Sequence, residues 1–125
     1  MEKQNAIQKV LSDELLIKGV SLDDVGFHGY AWKWQDALEV LKVLHAKRIP
    51  ILGGDVYSVV EGRVTSTMDN WYINKENFAL VDSFLNDSYK HSADYITAYV
   101  KRNGGSYYYS IVVYTFPVGT NGVSL

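Results

Sequence analysis

Three features of the 125-residue sequence predict an α+β fold: an antiparallel sheet of about four strands with about three helices packed chiefly on one face. The stretch Ile51 to Ile73 alternates apolar and polar residues over short runs and is punctuated by Gly53-Gly54 and Glu61-Gly62, the pattern of a hairpin followed by a further strand. Three other segments, Lys3 to Lys18, Lys33 to Arg48 and Asn74 to Arg102, carry apolar residues at helical spacing instead. Finally, Ser106 to Phe116 is apolar or aromatic in both of its alternating sets, which suits a central strand covered on both faces. No repeat, low-complexity run or linker divides the chain, so residues 1–125 are read as one domain.

Taken in order, Ile7, Val10, Leu11 and Leu15 define the first helix, and Gly19 stands where a left-handed residue would end it. Val20 to Trp32 reads as an ordered loop with a brief strand, because Asp23-Asp24, Gly26, His28 and Gly29 favour turns while Tyr30 and Trp32 pin it to the core. In the second helix Trp34, Ala37, Leu38, Leu41, Leu44 and His45 form one stripe. Asp36 lies early and Lys47-Arg48 late, as the macrodipole prefers. Pro50 ends it.

Ile49 to Leu52 is then an extended entry to the sheet, Val56 to Val60 and Arg63 to Ser66 are hairpin arms over Glu61-Gly62, and Trp71 to Ile73 adds a strand. Asn74 caps the third helix, whose face is Phe78, Val81, Leu85, Ser88, Tyr89, Ser92, Ile96 and Tyr99. Asn103-Gly104-Gly105 stops it, and Gly119 to Leu125 carries little periodicity. Leu38, Leu41, Leu85, Ile111 and Val113 are the expected core.

Composition narrows the function classes. Twelve basic and fourteen acidic residues leave a formal charge of −2 and no broad basic field for nucleic acid. The chain has no cysteine, hence no disulfide, thiolate metal site or cysteine nucleophile. No apolar run approaches the ~20 residues needed to span a bilayer, and no secretory signal pattern opens the sequence. The expectation is a cytoplasmic monomer with no membrane partner. Ten tyrosines exceed what a core of this size needs and point to a binding face.

Catalytic signatures are sparse. His28, His45 and His91 fall in a loop and on two helices, without the paired spacing that a metal requires, so no metal or other cofactor is expected. Gly53-Gly54-Asp55 has the look of a catalytic loop, and Asp55 with Asp69 across the hairpin is the acid-base pair that a small hydrolase would use. The structural reading is that the glycines allow a bulge or turn, where Asp55 accepts backbone hydrogen bonds. A third possibility is a homo-oligomer pairing through Tyr107 to Tyr114 as an edge strand.

Asp69-Asn70-Trp71-Tyr72 is a polar-aromatic knot in which consecutive side chains face opposite ways. One of Trp71 and Tyr72 therefore enters the core while the other points outward.

The combination GFHGYAWKWQDALEVL, IPILGGDVY and DNWYI, from about Leu22 to the third helix, resembles the Immunity protein 40 family of bacterial polymorphic-toxin systems. Lys33 stands where a small hydroxyl cap would be more common. The resemblance implies a small α+β protein that binds and neutralises a toxin encoded by the adjacent gene, and brings no catalytic residues with it. Candidate toxin contacts are Asp55, Tyr57, Asp69, Asn70, Trp71, Tyr72, Asp23, Asp24 and Trp34; Asp36 and Glu39 are further available carboxylates.

Overall fold

The computed structural model describes residues 11–73, 81–114 and 122–124. Ser12 opens helix α1 (Asp13–Lys18), its hydroxyl accepting the Leu15 N–H at 3.2 Å. The earlier part of the expected first helix, with Ile7 and Val10, lies outside the described residues. Gly19 is extended, with φ −82° and ψ 160°, where a left-handed residue was expected: the chain runs straight from α1 into strand β1 (Val20–Ser21). Its small size is still needed, because a Cβ there would lie 2.9 Å from Nε1 of the Trp32 indole.

A 3-10 turn (Asp23–Val25) leads to β2 (Tyr30–Lys33), so the expected loop holds two short strands that pair with one another. Trp32 is fully buried, and its Nε1–H donates to the Leu15 carbonyl at 2.7 Å, tying α1 to the sheet. Helix α2 (Trp34–Ala46) has Lys33 at its N-cap without a side-chain capping bond. Its buried stripe is Ala37, Val40, Leu41 and Leu44. Leu38, expected in the core, sits half-buried on the flank of that stripe, and Val40 takes the central place.

Strands β3 (Ile51–Val60) and β4 (Arg63–Tyr72) are continuous, each 10 residues long, where the sequence suggested shorter pieces. Glu61 (φ 51°) and Gly62 (φ 80°) close the hairpin with both central residues left-handed, the type I′ geometry that matches strand twist. Gly53-Gly54 does not interrupt β3. A Cβ on Gly54 would lie 2.4 Å from Cη2 of Trp71, so glycine lets the indole lie against the strand. A one-residue bulge between Ile51 and Gly53 relative to the neighbouring strand accompanies the pair.

Helix α3 (Val81–Asn103) buries Phe84, Leu85, Ser88, Ser92, Ile96 and Tyr99; the expected cap Asn74 and the face residue Phe78 lie outside the described residues. Gly104, at φ 94°, ends it. Strands β5 (Tyr108–Tyr114) and β6 (Gly122–Ser124) follow, the latter in a tail expected to be irregular.

The sheet is antiparallel throughout, five strands in the order β1-β2-β5-β3-β4, with β6 pairing to β5 off that path. The fold is α+β, close to the expectation of about four strands and three helices. β5 is central as expected: β3 lines one edge, while β2 and β6 share the other. Both edges of Tyr108–Tyr114 being occupied, that strand is not free to pair with a second copy.

The main core lies between sheet and helices: Leu15, Leu41, Leu44 and Ile96 pack on Trp32, Val56, Trp71, Tyr109, Ile111 and Val113. On the opposite face a smaller cluster of Leu22, Ala31, Tyr57 and Val64 is covered by the segment around the 3-10 turn. The helices therefore cover one face, and the other is left partly open.

Candidate binding surface

The open face is shaped by an irregularity in β4. Asp55 pairs with Asn70 and Tyr57 with Ser66, so the three residues Thr67, Met68 and Asp69 stand opposite Val56 alone. Two extra residues preserve the alternation on either side, which keeps Val64 and Trp71 on the faces their burial requires.

The bulge is held from the helix side. Thr67 Oγ1 donates to the Val56 carbonyl at 2.8 Å and accepts the Asp69 N–H at 3.1 Å. Tyr99 of α3 donates its hydroxyl to Asp69 Oδ2 at 2.8 Å. Burial and then that bond push the Tyr99 hydroxyl up to about 12. Behind it Tyr99 packs edge-on against Tyr107 and Tyr109, and Trp71 stacks on Tyr95 at 4.8 Å between ring centres.

On the other side Met68 takes φ 73°, a region that a residue with a long side chain adopts at a cost, and its side chain is 82% exposed. The Ser66 hydroxyl accepts the Met68 N–H at 3.0 Å and so steadies this conformation.

Around the bulge lies a recess of about 350 Å³, lined by Val25, Phe27, Asp55, Tyr57, Ser66, Met68 and Asn70. Tyr57 forms the buried floor, and Phe27 and Met68 stand as exposed apolar rims. Asp55 is half-buried; burial pushes its carboxyl above the usual value, opposed by a hydrogen bond to the Ser110 hydroxyl, which also accepts the Asp55 backbone N–H at 3.2 Å. The Tyr57 hydroxyl is raised as well, by burial first and then by the Asp55 charge.

The residues singled out from sequence divide between the two faces. Asp55, Tyr57 and Asn70 meet in the recess. Tyr72, 75% exposed, lies two residues beyond Asn70 on the same face of β4. Trp71 is the aromatic that enters the core, 4% exposed, with its Nε1–H donated to Ser92 Oγ at 3.0 Å. Asp69 belongs with Trp71 on the helix side. The hydrolase pair is thereby not formed: Asn70, opposite Asp55, shares its face, and Asp69 has the other.

Asp24 has a structural part, accepting the Val64 N–H at 3.2 Å and so tying the 3-10 turn to β4, while Asp23 is exposed in that turn. Trp34 packs half-buried against the main core at the start of α2, with Gly105 beside its indole. Sequence reasoning missed Phe27 and Met68. Their only signal was isolation, a lone aromatic in Gly26-Phe27-His28-Gly29 and a lone apolar residue in Thr65-Ser66-Thr67-Met68-Asp69-Asn70. Among the described residues no group of three or more His, Asp or Glu could hold a metal ion, and no helix is long and apolar enough to cross a membrane.

The architecture thus defines an α+β protein whose helices close one sheet face and whose other face carries a bulged, apolar-rimmed recess. The model of the Immunity protein 40 family matches residues 21–113, most of the chain, and the chain belongs to that family. The match runs from β1 into β5, further than the third helix, where the motif resemblance ended. No curated protein and no solved structure gives a match.

Proposed function

We propose that this chain is a cytoplasmic, monomeric immunity protein that binds a cognate polymorphic-toxin protein, encoded by the adjacent gene, and neutralises it without catalysis of its own. Family membership supports the class. The observation that carries the choice of surface is the exposure of Met68, Phe27 and Tyr72 around the half-buried Asp55. Stiff apolar anchors beside a partly desolvated charge are the usual make-up of a binding hot spot. Tyr57 and Asn70 complete this contact surface, with Asp23 at its margin; Asp69, Trp71, Asp24 and Trp34 support the fold.

The deciding experiment is co-purification with the product of the adjacent gene, followed by growth rescue of cells expressing that product. A stable complex with rescue is expected, and the absence of both sinks the reading. Sedimentation of the free protein as a monomer is the companion expectation.

A further inference from the structure

The recess beside the β4 bulge has one polar character. Among the described residues its hydrogen-bonding groups are the Asp55 carboxylate, the Asn70 amide, and the Tyr57 and Ser66 hydroxyls, and none of those that line it is Lys, Arg or His. None of the three ion pairs formed among the described residues involves Asp55; they join Lys18 to Asp36, Arg48 to Asp82 and Lys90 to Asp94. A half-buried carboxylate without a cationic neighbour is incompletely compensated, and burial has already displaced its titration upward.

The same surface is ill-suited to an added β-strand. Met68 breaks the regular hydrogen-bonding pattern of β4, and the Asp24 carboxylate already takes the Val64 N–H. At about 350 Å³ the recess lies at the low end of the roughly 300–1,000 Å³ typical of small-ligand sites. It therefore suits a single side chain better than a segment of backbone.

We propose that the recess is a socket for one arginine of the partner, its guanidinium on the Asp55 carboxylate and its aliphatic stem between Phe27 and Met68. Charge complementarity selects a cation. Guanidinium is favoured over ammonium because it is more weakly hydrated, presents a flat face to the Phe27 and Tyr57 rings, and has donors enough to reach the Asn70 carbonyl as well as Asp55. The inference rests on the reading of this face as the toxin-contact surface, yet it is testable without a toxin.

The probe is N-acetyl-arginine amide, titrated against the 15N-labelled protein, with N-acetyl-citrulline amide as the uncharged isostere. Saturable shifts of the Phe27, Asp55 and Met68 amides are expected with the arginine probe, at affinities around millimolar. The citrulline probe should bind about tenfold more weakly or worse. Asp55→Asn, confirmed folded by its spectrum, should reduce the arginine response to the citrulline level, whereas the same charge change at Asp94→Asn should leave it intact. Shifts equal for the two probes, surviving in Asp55→Asn, or absent altogether overturn the socket. If the complex and growth rescue persist while the probe fails, only the socket is lost; if both fail, the binding reading falls with it.

Discussion

The two sides of strand β4 make opposite use of neighbouring residues. Asp69 and Trp71 face the helices, one held by the Tyr99 hydroxyl and the other by Ser92. Met68 and Tyr72, each one residue away from that pair, are 82% and 75% exposed. Asn70, between them, is exposed too. The contrast separates residues that the fold requires from residues that it merely tolerates. A large apolar side chain at positive φ on the surface adds strain and no burial, so the packing of this chain alone gives Met68 no reason for its place, which is what the proposed contact surface would supply.

The sharpest way to break that contrast is to truncate one residue on each side. Trp71→Ala removes a buried indole and its hydrogen bond and should cost ~3–5 kcal/mol in denaturant unfolding. Leu41→Ala, under the same core, should cost ~2–5 kcal/mol, and a loss below about 0.5 kcal/mol would show that the α2 stripe is misassigned. Tyr72→Ala and Met68→Ala should leave unfolding within ~0.5 kcal/mol of the parent yet weaken the toxin complex by ~2 kcal/mol or more in calorimetry. Unchanged affinity in these stably folded variants would move the contact surface elsewhere, first to Asp23 and the outer side of α2.

A smaller effect tests the link between the two sides. Tyr99→Phe deletes the bond to Asp69 and should destabilise by ~1–2 kcal/mol, since a hydrogen bond to a carboxylate is lost at a partly buried site. The same tyrosine has a pH signature. Its folded value, about 12, lies above the ordinary value of 10, so its contribution is fully present below pH 10 and is lost as pH rises toward 12. Tyr109, raised further by burial, adds in the same direction. Between pH 10 and 12 the parent should therefore lose stability more steeply than Tyr99→Phe, as followed by thermal melts; parallel curves would show that the hydroxyl does not hold the bulge.

Much of the architecture was legible because it follows from periodicity and turn chemistry. Leu41 and Leu44 recur at helical spacing, Glu61-Gly62 admits the left-handed pair that a two-residue hairpin needs, and the doubly apolar Tyr108 to Tyr114 belongs in the middle of a sheet. What was not legible depends on register. Whether Trp71 or Tyr72 is buried turns on how β4 is registered against β3, where Trp71 falls opposite Gly54, and alternation within β4 alone gives both answers equally. The same uncertainty kept Asp55 and Asp69 together as a pair when the sheet separates them. Phe27 could not be placed from sequence, because it reaches the recess through the fold of a turn and not through a spacing.

The smallest predicted effect is the most diagnostic of the recess. The Asp55 carboxyl is raised from its ordinary 3.8 chiefly by burial, so the folded protein holds that proton more tightly than the unfolded chain does. Below pH 3.8 both states are protonated. As pH rises from 3.8 to the higher folded value the unfolded chain ionises while the folded one still holds its proton, so stability is lost across that window and the carboxylate remains a net cost at neutral pH. Asp55→Asn keeps an acceptor for the Ser110 hydroxyl and cannot ionise, so at pH 7 it should melt at the same temperature as the parent or slightly higher. The advantage should shrink as the pH falls toward 3.8. An asparagine variant that is less stable at pH 7 would mean that the carboxylate is a structural acceptor, as the sequence alone allowed, and would remove the main reason to place it opposite a partner's charge. A variant that is as stable as the parent and yet binds the toxin poorly would instead identify Asp55 as a residue the fold carries at a cost for the sake of its contact.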